Sequence, residues 1–238
     1  MSRRGTGKYL LPLVTTALLA ACAQPPPYVP DQTAAPPLPE RVYQQAARKG
    51  EAVYRVDPQR SRLFMRTGRD GPMKAAGHDH VIASADIEGL VLLSKDPARS
   101  RADLRFPLQQ LIVDEPAYRE RFGLEPGIPE SAIEGTTRNM QDKVLESTRF
   151  PWATVGVRVL TTQGAQAELD VTVTMHGTSF DYRIPVELAV EADKLQVTGV
   201  TSIRHADFGL TAFSAAGGLL RVAEEIEVVF EIEATKGQ

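Results

Sequence analysis

From about residue 166 to the C terminus, apolar and polar residues alternate with a period of two. No other feature of the chain constrains its fold as strongly. Leu169, Val171, Val173 and Met175 share one face, while Asp170, Thr172 and Thr174 share the other. Tyr182, Ile184, Val186, Leu188 and Val190 repeat the pattern, as do Leu195, Val197, Thr201 and Ile203. The last run sets Ile226, Val228, Phe230 and Ile232 against Glu227, Glu231 and Glu233. In an extended chain successive side chains point to opposite faces, so each run reads as a strand with one buried and one solvated side. Such runs, without helical periodicity between them, predict a mainly β antiparallel sandwich or barrel.

Upstream the strands are shorter. Residues 53–56 and 62–65 flank Asp57-Pro58, a turn signal, and predict a first hairpin. Residues 81–93 predict one long strand, 101–108 and 111–113 shorter ones, and 153–162 another that turns at Gln163-Gly164. Residues 129–145 hold Ile133, Met140, Val144 and Leu145 among polar neighbours and predict a helix. The charged segment 114–126 reads as a surface excursion, and 40–49 as a short helix stopped by Gly50.

The chain has 238 residues and a single cysteine, Cys22, so it can form no internal disulfide and no multi-cysteine zinc site. Arg3, Arg4 and Lys8 precede an apolar run over residues 9–20 that is short for a membrane span. That run ends in Leu19-Ala20-Ala21-Cys22, which resembles the lipobox of bacterial lipoproteins. The resemblance implies a signal peptide over 1–21, cleavage before Cys22, and acylation of Cys22 as a membrane anchor. Ala23, rather than aspartate, follows the cysteine, which favours the outer membrane on the periplasmic side. Residues 22–50 then form a proline-rich linker with a short helix, and 51–236 the folded domain. Loss of residues 1–21 leaves 24 basic residues against 30 acidic, a net charge of −6. A net-negative body without a basic stripe argues against nucleic acid as a partner.

Several motifs occur in the order found in one family. Tyr54-Arg55-Val56-Asp57-Pro58 with Ser61 comes first, then Met140 to Leu145 leading into Phe150-Pro151-Trp152-Ala153-Thr154. Leu169 to Gly177 ends in a histidine-glycine corner, and Ala206-Asp207-Phe208-Gly209-Leu210 precedes the last strand. Together these resemble the YceI-like domain over roughly residues 52–235. The resemblance implies a lipocalin-like antiparallel β-barrel with one appended helix, whose apolar lumen binds a long isoprenoid or similar lipid. The residues themselves, without a nucleophile elbow, a free thiol or a dinucleotide fingerprint, point to a binding protein with no cofactor rather than an enzyme. Ala206 stands where the family has serine, the loop over 114–134 is long, and His78-Asp79-His80 is not a general feature of the isoprenoid binders.

An eight-stranded barrel either fills with side chains or holds one small ligand. Gly199 and Thr201 thin one wall at its middle, and the small apolar run 213–220 suits a flap at a barrel mouth. The residues expected to line a cavity are Phe64, Val81, Val173, Met175, Val197, Gly199, Phe213 and Phe230. Phe208 reads as a corner plug, and His176 as the donor of a structural bond to backbone. His78 and His80, two apart in a strand, project to one face and could share a metal or haem, with His176 or Asp207 as third ligand. A third reading is a ligand-free structural barrel that engages another envelope protein, and a second copy of the chain is a further candidate partner. No Gly-x-Ser-x-Gly elbow or dinucleotide fingerprint is present, and the glutamates of the last strand read as its solvated side.

Overall fold

The computed structural model describes residues 34–237, so the expected signal segment, Cys22 and the linker through residue 33 lie outside the described residues. The chain runs through α1 (Glu40–Arg48), β1 (Ala52–Val56), β2 (Arg62–Asp70), β3 (His80–Ser84), β4 (Glu88–Leu93), β5 (Arg101–Pro107) and β6 (Ile112–Val113). Two helices follow, α2 (Pro116–Arg121) and α3 (Glu130–Asn139). The C-terminal half is β7 (Trp152–Gln163), β8 (Gln166–Met175), β9 (Thr178–Glu191), β10 (Lys194–Arg204), β11 (Ser214–Ala215) and β12 (Leu220–Lys236).

Hydrogen bonding follows the order β1-β4-β5-β7-β8-β9-β10-β12, and β12 returns to β1, which closes an antiparallel barrel of eight strands. Closure removes the unpaired edges that would otherwise template association. The residues of β7 to β10 and β12 alternate as their sequences predict, with the apolar set turned inward. β12 does double duty along its other edge. Its first half pairs with β2, from Arg221 opposite Asp70 to Glu231 opposite Arg62, and its end pairs with β1.

That arrangement corrects the expected first hairpin. β1 and β2 do not pair with each other; both lie on β12, as two halves of one bent stave. The bend at Asp57-Pro58 stays attached to β12 through a single residue. Glu233 accepts from the Asp57 N–H at 2.8 Å through its carbonyl, and its own N–H donates to the buried Ser61 hydroxyl at 3.1 Å. The expected long strand over 81–93 is likewise broken. Asp86 takes φ 56°, a left-handed conformation that interrupts extended structure between β3 and β4.

The helices cover outer walls and one end. On α1, Tyr43 is buried against Leu90 and Leu92 and donates to Asp103 at 2.6 Å, so this helix, expected in the linker, belongs to the barrel wall. The expected surface excursion contains α2, whose Tyr118 joins Phe122 and Leu124 over the outer face of β2 and β3. α3 turns Ala132, Thr136 and Asn139 toward the lumen and runs into a π-helical turn over Met140–Val144, which closes that end. The barrel thus carries three helices rather than one.

Candidate functional site

The lumen holds a cavity of about 490 Å³, within the range of about 300–1,000 Å³ usual for small-molecule sites. It extends from Val159 and Leu195, near the β7–β8 turn, to Met175, Phe208 and Met140, near the β8–β9 turn. Its walls are overwhelmingly aliphatic because β7, β8, β9, β10 and β12 each contribute every second residue. An aliphatic wall of this kind favours a hydrocarbon over water.

Five of the eight residues expected at the cavity are in its lining: Val173, Met175, Val197, Phe213 and Phe230. Phe64 and Val81 are not, which corrects that expectation. Along β2 the inward residues are Leu63, Met65 and Thr67, and along β3 they are His80 and Ile82. The intervening Phe64 and Val81 therefore face outward, where α2 buries them. Phe64 makes edge contacts with Tyr118 and Phe122 at ring-centroid distances of 5.1 and 5.3 Å, and the Arg121 guanidinium lies 4.7 Å above its ring. Gly199 does face the lumen side of β10, but the Phe230 ring covers it. A Cβ on Gly199 would stand 2.5 Å from Phe230 Cζ, so the thin wall makes room for that ring and not for a ligand.

Phe208 is 1% exposed and plugs the end beneath the β8–β9 turn while lining the cavity. A short 3₁₀ turn holds it, fixed by Asp207, whose carboxylate accepts from the Tyr182 hydroxyl at 2.8 Å and the Arg204 N–H at 3.0 Å. Burial opposes ionisation of Asp207, but the Tyr182 hydroxyl and both Arg204 donors outweigh it and hold the carboxyl below the usual range. Burial and the same carboxylate push the Tyr182 hydroxyl well above its ordinary value.

A second polar group lies where β2 and β3 meet the cavity. His80 lines it and bonds through Nδ1 to Asp114 Oδ2 at 2.6 Å. Asp114 follows β6 in a left-handed conformation, φ 53°, and is 1% exposed. Its other oxygen accepts from the Val81 N–H at 3.1 Å and from Arg119 Nη1 at 2.6 Å. Arg119, itself buried, also donates to the Glu125 carbonyl at 2.6 Å and the Asp79 carbonyl at 2.9 Å. Burial opposes the Asp114 charge; the His80 and Val81 bonds and Arg119 overcome it and lower its pKa.

Of this group only His80 is among the residues expected from the sequence; Asp114, Arg119 and Thr67 are not. Thr67 carried a readable signal, as the hydroxyl that breaks an aliphatic series on one strand face. Asp114 and Arg119 carried none, because they meet His80 only through the fold.

The geometry separates the residues of the metal reading. His176 Nε2 lies 3.2 Å from Glu146 Oε1, a side-chain partner rather than the expected backbone one, and its ring stands 4.3 Å from that of Phe150. Asp207 is engaged by Tyr182 and Arg204. Among the described residues no three His, Cys, Asp or Glu side chains are placed to share an ion, so neither expected third ligand joins His78 and His80.

A sequence profile of the YceI-like domain matches residues 54–234. No curated protein sequence matches the chain. Among solved structures, BcnA of Burkholderia cenocepacia is similar at a TM-score of 0.56 and 16% identity, over 76% of this chain and 99% of its own. A polyisoprenoid-binding domain from Saccharophagus degradans, implicated in plant cell wall breakdown, gives 0.52 at 16% identity, over 77% of this chain and 98% of that one. At such identities the likeness is one of fold.

Proposed function

From the premise that the chain belongs to the YceI-like domain family, we propose that it is a lipid-binding protein that holds an isoprenoid or similar long-chain amphiphile in its barrel lumen. The observation that carries this reading is the apolar cavity of about 490 Å³ inside a closed barrel. A lumen filled by its own side chains would leave no such volume, so the cavity favours a ligand over a purely structural barrel. Each methylene moved from water into this wall contributes on the order of 0.8 kcal/mol. A segment of about ten such groups would contribute on the order of 8 kcal/mol, from which the cost of association is subtracted. The similar domain from Saccharophagus degradans, described as polyisoprenoid-binding, supports the same ligand class.

The role is binding rather than catalysis: transport or storage of the lipid. The Leu19-Ala20-Ala21-Cys22 segment supports anchoring through acylated Cys22 on the periplasmic side, at the outer membrane. Native mass spectrometry and organic extraction of the purified full chain test the ligand directly. A bound prenyl or comparable lipid is expected. Lipid-free material over repeated preparations, with no uptake of labelled isoprenoid, would overturn the reading in favour of the structural barrel.

A further inference from the structure

Thr67 is 7% exposed and lines the lumen, and its hydroxyl is buried with no hydrogen-bond partner among the described residues. An unpaired buried hydroxyl is costly, and a native structure keeps few of them. Directly opposite Thr67 in the β2–β3 register stands His80, which lines the same space. The Cβ atoms of directly opposed residues lie about 4.5–5.5 Å apart, so one ligand oxygen can reach both side chains.

Asp114 fixes the tautomer of His80 from behind. An ionised carboxylate only accepts, so the 2.6 Å contact with Asp114 places the Nδ1 proton on the ring. In the neutral ring Nε2 is then an acceptor, the one ring nitrogen left for a ligand. Arg119 and the Val81 N–H hold Asp114, so the imidazole cannot turn without breaking a buried network.

The same cavity is poorly equipped for an anion. Its four arginines are each paired with an aspartate, Arg69 with Asp79 at 3.4 Å, Arg101 with Asp103 at 2.8 Å, Arg204 with Asp207 at 3.0 Å and Arg221 with Asp70 at 2.9 Å. Arg101, whose Nε is buried without a partner among the described residues, lies opposite Arg158 towards the other end of the lumen. No lysine is among its described lining residues. A phosphate beside His80 would also lie near the Asp114 carboxylate.

We propose that Thr67 and His80 form the head-group site of the lumen, and that this site takes a neutral hydroxyl rather than a phosphate. The ligand O–H donates to His80 Nε2, and its oxygen accepts from the Thr67 hydroxyl. The inference rests on the lipid-binding reading and adds the class of head group.

The test is binding of tritiated farnesol, farnesyl diphosphate and the hydrocarbon farnesane to the purified full chain and to its Thr67→Val variant. Farnesol is expected to bind about tenfold more tightly than farnesane, the effect of two modest hydrogen bonds. It is also expected to bind more tightly than the diphosphate. Thr67→Val should erase most of the alcohol's advantage, read as the ratio of farnesol to farnesane affinity within each protein. If that variant does not fold, His80→Asn, whose amide N–H replaces Nδ1 as donor to Asp114 and which has no group at the Nε2 position, makes the same comparison. Equal binding of alcohol and hydrocarbon, an unchanged ratio in the variant, or tighter binding of the diphosphate overturns the head-group site while lipid binding stands. Binding of none of the three overturns both.

Discussion

Replacing Asp114 with alanine removes the acceptor of three hydrogen bonds and leaves the Arg119 guanidinium buried without its counter-charge. Breaking a buried ion pair from one side costs about 3–5 kcal/mol. Arg119 keeps its carbonyl partners at Glu125 and Asp79, which places this case at about 3 kcal/mol, the lower end. Asp114 also sits at φ 53°, where alanine adds about 1 kcal/mol of strain. The total of about 4 kcal/mol corresponds to a fall in Tm of about 8–16 °C for a domain of this size. Thermal unfolding followed by circular dichroism at neutral pH reads it. The pH dependence adds a sign. The folded-state pKa of Asp114 is lowered, so its contribution is complete above the unfolded carboxyl value of about 4 and fades as pH falls through the lower folded value. The gap between wild type and Asp114→Ala therefore narrows in acid. A loss below about 1 kcal/mol at neutral pH, or a gap that persists undiminished in acid, would refute the reasoning. Asp114→Asn, which tolerates the left-handed backbone and still accepts one bond, is expected to lose less.

Two other substitutions separate wall from lumen. Phe64→Ala should lower stability by about 3–5 kcal/mol in denaturant unfolding yet leave prenyl-lipid affinity unchanged, because Phe64 lies under α2 and outside the cavity. Gly199→Leu should drive the Phe230 ring into the lumen and weaken uptake of a labelled isoprenoid, read by equilibrium binding, since even a Cβ there meets that ring. Unchanged uptake would mean that the space beside Phe230 is not used.

What was legible in the sequence followed the strands that are wet on one side. β8, β9, β10 and β12 alternate cleanly because their outer faces meet solvent, and Val173, Met175, Val197 and Phe230 were placed in the lumen on that basis. β2 reads Leu63-Phe64-Met65, apolar on both faces, because α2 covers its outside with residues more than fifty positions away. Parity is therefore unreadable there, and the sequence alone puts Phe64 and Val81 on the wrong side. Broken staves were hidden for a similar reason. Ser61 and Glu233, which hold the bend between β1 and β2, meet only when the barrel closes. The His80–Asp114–Arg119 network is likewise a product of tertiary structure, as Asp114 and Arg119 belong to a segment that reads as a charged loop.

The most direct test of the central claim is equilibrium binding of a labelled prenyl lipid to the full chain and to its Val173→Phe variant, which fills the lumen from the β8 wall. Saturable binding to the wild type, sharply weakened in a variant whose circular dichroism is unchanged, is the predicted result. Equal binding to both proteins would place the lipid outside the lumen and contradict the account.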